Sequence, residues 1–264
     1  MNKSGHFLSI IIVLTLIMSS TSLAVASPVQ AACTPGATGS LFGDDVIDCD
    51  GYDGTVKGRG GDDEITTEGT ITGDVLGGSG EDTITNDGTV EGTIDGGLGN
   101  DEITNNGTVG EEIDGGWGND TITNNGDVID DIDGDAGDDT IINNDSVDAI
   151  FGGLGDDEIT NNGTVNDRIE GEAGDDEILN TGSVTGNIEG GSGNDTITND
   201  QDVGGNIEGG GGLGVLGNDT ITNNGGVEGN IEGSLLGDNE ITNNGTVEGD
   251  VLGGAVGDDT VTNT

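Results

Sequence analysis

Basic, aromatic and proline residues are scarce in this sequence. Only 4 of its 264 residues are Lys or Arg, aromatic residues make up 2%, and there are 2 prolines. Proteins that bind nucleic acid need a basic surface, so this scarcity excludes nucleic acid as a natural partner. It also disfavours attraction to anionic membranes. The low content of large apolar side chains argues against an ordinary globular core.

Histidine is scarcer still. The single histidine, His6, lies in an N-terminal stretch that we expect to be removed from the mature protein. No histidine then remains to activate a serine or cysteine nucleophile. The many paired acids are explained by the repeat described below, so we predict that the protein is not an enzyme.

Acidic residues and glycines are abundant instead. The sequence has 53 Asp and Glu residues, 56 glycines and a formal net charge of -49. A chain with this composition stays disordered unless something neutralises its charge. The regular repeat favours an ordered fold whose charge is neutralised by bound cations.

Residues 1–26 have the features of a secretory signal peptide. Lys3 precedes an apolar run, and Ala24-Val25-Ala26 forms a small-x-small cleavage site. We therefore predict a secreted, extracellular protein, with attachment to the cell surface left open. No other stretch is apolar enough to cross a bilayer, so no membrane span is expected in the mature chain.

Residues 27–42 are predicted to form an N-terminal cap on a repeat domain of residues 43–264. Cys33 and Cys49 are the only 2 cysteines. In an exported protein such a pair favours one disulfide near the N-terminus, and two free thiols are the alternative.

A nine-residue motif runs from Gly96 to Thr104 and reads Gly-Gly-Leu-Gly-Asn-Asp-Glu-Ile-Thr. We call each such Gly-rich motif the box. Its sixth residue recurs at intervals of 18 to 20 residues, with one interval of 24, along the whole repeat domain. A period this regular predicts an all-β solenoid in which each coil stacks on its neighbours.

Each coil is predicted to have two short strands and a turn, with aliphatic residues alternating with polar ones. The first strand supplies one inward row, made of Ile65, Ile84, Ile103, Ile122, Ile141, Ile159, Ile178, Ile197, Ile221, Ile241 and Val261. The second strand supplies Ile94, Ile113, Ile132, Ile169, Ile188, Ile207 and Ile231. The turn supplies Val90, Val109, Val128, Val147, Val165, Val184, Val203, Val227 and Val247.

The box has the chemistry of a calcium site. Calcium prefers six to eight oxygen ligands in flexible geometry, and glycines let main-chain carbonyls converge on one point. Stacking would place successive box aspartates about 4.8 Å apart, where a divalent ion turns their repulsion into a bridge. We predict several Ca²⁺ ions, one per coil along one edge, bound by Asp63, Asp82, Asp101, Asp120, Asp139, Asp157, Asp176, Asp195, Asp219 and Asp259.

The box resembles the repeat of the RTX, or haemolysin-type calcium-binding, family, over about residues 43–264. The resemblance implies a right-handed parallel β-roll of about 11–12 coils of about 19 residues, which folds on binding calcium. Here only one half of each coil carries a box, which is similar to the coils of large bacterial RTX adhesins, one of them ice-binding.

These features predict a structural or adhesive role, with calcium and cell-surface or extracellular-matrix components as partners. Ice binding is one alternative, because outward pairs such as Thr121 and Thr123 recur, although glutamates such as Glu102 interrupt them. An acidic surface-layer or mineral-binding protein is another. We also expect calcium-dependent end-to-end self-association through the open edge of the last coil.

Overall fold

The computed structural model describes residues 29–32, 39, 41–210 and 216–264. The predicted signal peptide, Cys33 and most of the predicted cap lie outside these residues. So does most of the insertion at 209–214, which we expect to bulge from its coil. The described residues form 32 strands and contain no helix, hence none that could span a membrane.

The strands stack into a parallel β-solenoid of about 11 turns, each turn about 19 residues long. Strands of the two main sheets pair with the same segment of the neighbouring coil, so Ile103 lies between Ile84 and Ile122. This arrangement confirms the all-β solenoid predicted from the repeat period. Its consequence is that each position of the repeat forms a row along the molecule.

One long sheet, which we call the front sheet, contains the strand that follows each box. Its strands are Val29–Ala32, Asp45–Tyr52, Glu64–Ile71, Thr83–Asn86, Glu102–Asn105, Thr121–Asn124, Thr140–Asn143, Glu158–Asn161, Glu177–Asn180, Thr196–Asn199, Thr220–Asn223, Glu240–Asn243 and Thr260–Asn263.

A second sheet, the back sheet, contains the strand that leads into each box. Its strands are Val56–Lys57, Val75–Ser79, Ile94–Leu98, Ile113–Trp117, Ile132–Asp133, Ile150–Leu154, Ile169–Ala173, Ile188–Ser192, Ile207–Glu208, Ile231–Glu232 and Val251–Leu252. Two-residue strands form the corner opposite the boxes: Thr89–Val90, Thr108–Val109, Asp127–Val128, Ser146–Val147, Thr164–Val165, Ser183–Val184, Gly226–Val227 and Thr246–Val247.

The core is built from the three predicted aliphatic rows. In strand Glu102–Asn105 the exposure alternates, so Ile103 and Asn105 point inward while Glu102 and Thr104 point outward. Ile103, Val109 and Ile113 are completely buried, as are their equivalents in most coils. Ile150, which the sequence analysis left out, belongs to the back-sheet row. Val261 in the last coil is 43% exposed.

A row of buried asparagines closes each front-sheet strand. The side-chain amide of Asn105 donates to Asn124 Oδ1 at 2.8 Å, and the amide of Asn124 donates to Asn143 Oδ1 at 2.8 Å. Asn105 Oδ1 also accepts the N–H of Gly107 at 3.2 Å, which shapes the turn. Stacking thus satisfies a polar group that would otherwise destabilise the interior.

The N-terminal end of the solenoid is covered by strand Val29–Ala32, which pairs in parallel with residues 45–48. Cys49 is buried and disulfide-bonded, which agrees with the expectation of a disulfide. Leu41 and Phe42, which we assigned to the cap, are 63% and 94% exposed. They therefore do not pack on the end of the core.

The asparagine row yields a stability prediction. Asn124→Ala should lower the free energy of unfolding by about 2 kcal/mol, because the buried oxygen of Asn143 loses its donor and the amide of Asn105 keeps only a longer bond, to Gly107 O at 3.4 Å. Denaturant unfolding in saturating calcium measures it. Asn125→Ala is the control, because the Asn125 side chain hydrogen bonds to Asn106 on the exposed surface. Equal losses in the two variants would contradict the prediction.

Candidate metal site

The box loops connect the back sheet to the front sheet along one edge of the solenoid. In one coil the loop leads from strand Ile94–Leu98 to strand Glu102–Asn105, and Asp101 immediately precedes the second strand. The Asp101 side chain is turned inward and is 2% exposed. All ten aspartates predicted as ligands lie in this one row, and all except the half-buried Asp259 are at most 3% exposed.

The two oxygens of each box carboxylate have different environments. Oδ1 accepts the main-chain N–H of the equivalent residue in the preceding coil, as between Asp101 N and Asp120 Oδ1 at 2.7 Å. The same bond recurs along the row at 2.6 to 3.1 Å. These bonds hold the carboxylates in register and set the direction of the second oxygen.

That second oxygen, Oδ2, is buried and has no hydrogen-bond partner among the described residues in eight coils. The eight residues are Asp63, Asp82, Asp101, Asp120, Asp139, Asp157, Asp176 and Asp195. A buried anionic oxygen without a donor is strongly unfavourable unless a cation or proton neutralises it.

We call each of these eight Oδ2 atoms a bare oxygen. A main-chain carbonyl of the next coil faces the same space as each bare oxygen. A β-carbon placed on Gly96 would lie 2.6 Å from Gly115 O and 2.7 Å from Asp101 Oδ2. The first glycine of the box therefore leaves room in which two acceptors from neighbouring coils converge. Carboxylate and carbonyl oxygens are the ligands that Ca²⁺ prefers, so the residues present fit a calcium ion.

The remaining glycines of the box allow the loop to turn sharply. Gly97 and Gly99 have φ angles of 106° and 143°, a region that other residues rarely adopt. Two boxes lack the second glycine and carry Asp135 and Glu172 at the position of Gly97, with φ angles of 66° and 73°. The loop conformation is thus kept in coils that lack the second glycine.

Burial makes the row electrostatically unfavourable in its charged form. Burial raises the pKa of all eight carboxyl groups above 3.8. The pKa rises to about 7 at Asp101, Asp139, Asp176 and Asp195. It rises to about 6 at Asp63, Asp82 and Asp157, and it is also raised at Asp120. The hydrogen bond to Oδ1 opposes the shift and neighbouring carboxylates add to it. A bound divalent cation would remove both the burial penalty and the repulsion.

The last coils depart from this arrangement. Asp219 Oδ2 accepts hydrogen bonds from the main-chain N–H of Ser234, at 3.0 Å, and from the Ser234 hydroxyl. Asn239, which replaces the aspartate, donates through Nδ2 to the carbonyls of Ser234 and Gly253. Ser234 was not predicted as part of the site. Its only signal in the sequence is a box one residue longer than a regular one, a length that the box from Gly253 to Asp259 shares.

Other carboxylates lie outside the boxes and were also missed. Asp130, Asp131 and Asp148 each place one oxygen within 4.8 Å of the others, at the corner opposite the boxes. On the back sheet, burial and the neighbouring Asp135 raise the pKa of Asp114 to about 8. The signal in the sequence was the 18-residue step from Asp130 to Asp148, which equals one coil.

The raised pKa values predict opposite pH dependences with and without calcium. Between about pH 4 and about pH 7 the metal-free fold holds protons that the unfolded chain has lost, so its stability falls as the pH rises. In saturating calcium the bound carboxylates must be ionised, so stability falls on acidification instead. Melting temperatures of dialysed and of calcium-loaded protein, measured across this pH range, give the two dependences. Melting temperatures that change with pH in the same direction in the two samples would contradict the prediction.

Comparison with known proteins gives one informative structure. No family model matches the chain, and no curated protein matches it. The crystal structure of a hyperactive, Ca²⁺-dependent, β-helical antifreeze protein from an Antarctic bacterium is similar, with a TM-score of 0.70 and 25% identity. The match covers 92% of this chain and 85% of that one. The chain therefore shares the β-solenoid fold of a calcium-dependent protein.

Proposed function

We propose that this protein is an extracellular calcium-binding β-solenoid that folds on binding calcium and serves a structural or adhesive role. One observation carries the proposal: eight buried carboxylate oxygens without partners form a single row and face main-chain carbonyls of the next coil. The calcium dependence of the similar antifreeze protein supports it.

The coupling of folding to calcium follows from the energetics of the row. Each coil buries about three aliphatic side chains, which is little compared with the conformational entropy of about 19 residues. The same coil also buries an acidic oxygen that repels its neighbours. Because calcium binds the row only when coils are stacked, its binding free energy becomes folding free energy.

The structural or adhesive role rests on the shape and surface of the solenoid. Similar side chains recur from coil to coil on both sheets, such as Thr104 and Thr123 on the front sheet and Asp95 and Asp114 on the back sheet. This repetition suits binding to an extended or repetitive partner. The predicted signal peptide supports an extracellular location. The repeat itself accounts for the paired acids, which supports a role without catalysis.

Calcium should therefore control folding. Without calcium and above about pH 7, where the carboxylates of the row lose their protons, circular dichroism is expected to report a largely disordered chain, and millimolar calcium should produce a β-sheet spectrum. Magnesium should substitute poorly because it prefers a smaller octahedral site. Asp139→Asn should raise the calcium midpoint, since it removes a bare acidic oxygen but keeps the hydrogen bond to Oδ1.

Asp138→Asn is the matched control for this variant. It makes the same change of charge one residue away, on a side chain that is exposed and accepts the N–H of Asp156. A chain that folds equally with and without calcium would refute the proposal. Equal midpoints for the two variants would refute the assignment of the row.

Ice binding is the second candidate, favoured by a row of threonines on the outer face of the front sheet. The row is in register from Thr66 to Thr262 and is interrupted within that range only by two aliphatic residues: Thr66, Thr85, Thr104, Thr123, Ile142, Thr160, Leu179, Thr198, Thr222, Thr242 and Thr262. The parallel row two residues earlier contains both threonine and glutamate, as at Thr121 and Glu102. The similarity to an antifreeze protein adds support.

Thermal hysteresis in calcium-loaded protein decides between the two roles. If the front sheet binds ice, Thr123→Tyr should lower the hysteresis severalfold, because a bulky side chain would break the regular row. Asp127→Tyr is the control, since Asp127 is exposed on a corner strand away from that face. No hysteresis in the unsubstituted protein would exclude ice binding and leave the structural or adhesive role.

A further inference from the structure

Two kinds of contact join neighbouring box loops in this solenoid. In one kind two oxygen acceptors face each other, and in the other a donor of the chain faces an acceptor. We propose that the calcium row has eight sites from Asp63 to Asp195 and stops there, because protein hydrogen-bond donors replace the cation beside Asp219 and Asn239. The inference rests on the proposed calcium function and sets its stoichiometry and extent.

The first kind of contact recurs through the middle of the chain. A β-carbon placed on Gly115 would lie 2.9 Å from both Asp120 Oδ2 and Gly134 O. One placed on Gly152 would lie 2.6 Å from Asp157 Oδ2 and 2.8 Å from Gly171 O. Neither oxygen can donate, so only a cation or a proton makes this contact favourable.

The second kind of contact is found at Asn239. Its Nδ2 donates to Gly253 O at 2.6 Å, and Gly253 O is the equivalent of the carbonyl that faces each bare aspartate oxygen. The same nitrogen donates to Ser234 O at 3.1 Å and to Asp259 Oδ1 at 3.1 Å. An N–H group thus occupies the direction that the cation would take in the other coils.

The orientation of the Asn239 amide follows from its other partner. Asn239 Oδ1 accepts the main-chain N–H of Asp219 at 3.0 Å, which is the bond that every box aspartate makes through Oδ1. The oxygen must face that N–H, so the NH₂ group must face the two carbonyls. An Asp at this position would turn an anionic oxygen toward them instead.

The second oxygen of Asp219 has hydrogen-bond donors from a different residue. Its Oδ2 accepts from both the N–H and the hydroxyl of Ser234, which is completely buried. The eight bare oxygens have no such donors among the described residues. Ser234 can reach Asp219 because its loop, Gly233-Ser234-Leu235-Leu236-Gly237, is one residue longer than a regular box.

Calcium would be disfavoured at both places. A cation beside Asp219 would have to displace the two Ser234 donors, and a cation beside Asn239 would meet an NH₂ group. Replacing ligand oxygens with donors removes attraction and adds repulsion. Of the ten ligands expected from the repeat, eight therefore bind calcium and Asp219 does not. Asp259 is half-buried, lies beside the Asn239 NH₂ group and adds no buried bare oxygen to the row.

Counting bound calcium by equilibrium dialysis of the full chain tests the proposal. We expect eight tightly bound ions, one for each bare oxygen. Asp195→Asn should lower the count by at least one, whereas Asp219→Asn should leave it unchanged. The two variants make the same isosteric change in adjacent coils, and circular dichroism in saturating calcium verifies that both remain folded.

A gain-of-function variant gives the converse test. Asn239→Asp should add one bound ion, because it restores facing acceptors opposite Gly253 O. Asn218→Asp is the control: it adds the same charge at an exposed position that accepts the N–H of Asp238, and should not change the count. A count of ten in the unsubstituted protein, or equal losses from Asp195→Asn and Asp219→Asn, would overturn the inference. A count of zero would overturn the proposed calcium function itself.

Discussion

The bare carboxylate oxygen that each regular coil buries is the constraint on which the rest of the structure depends. The box has small residues where it does because a side chain on Gly96 would fill the space between Asp101 Oδ2 and Gly115 O. Its main-chain N–H groups bind Oδ1 and so hold Oδ2 in position. The aliphatic rows bury only about three side chains per coil, and the carboxylate row opposes stacking unless its charge is neutralised. Order in this chain is therefore expected to depend on the divalent ions of its surroundings.

When identical residues stack in register, the effect on stability depends on the residue type. Asparagine stacked on asparagine satisfies itself, because each amide is both donor and acceptor, as between Asn105 and Asn124. Isoleucine stacked on isoleucine excludes water. Aspartate stacked on aspartate can use only one oxygen for the backbone and leaves the other bare. The same geometry that makes two rows self-sufficient makes the third dependent on an added cation.

The end of the carboxylate row illustrates how little change is needed to remove that dependence. Exchanging one oxygen for an NH₂ group at Asn239, and lengthening one loop so that Ser234 reaches Asp219, converts repulsive contacts into hydrogen bonds. The outer face of the front sheet is independent of this edge. Its threonine row can change without disturbing the boxes, because these side chains point away from the core. The back sheet is linked to a box, because Asp133 Oδ1 accepts the N–H of Asp135 at 2.9 Å. A calcium-dependent scaffold of this kind can therefore carry different surface functions.

The sequence by itself determined the solenoid, its coil length, the inward rows and the aspartate row. It could do so because the repeat stays in register: once the period is known, Ile103 must stack on Ile84 and Asp101 on Asp82. Only the tertiary structure decided which oxygens are bare. The pair Asn239 and Gly253 has the regular spacing of the repeat, but the direction of the Asn239 amide depends on the N–H of Asp219 that its oxygen accepts. The contact of Ser234 with Asp219 depends on how the lengthened loop folds, for which the period gives no register. The grouping of Asp130, Asp131 and Asp148 likewise needed the corner geometry, because period alone does not say which way exposed side chains turn.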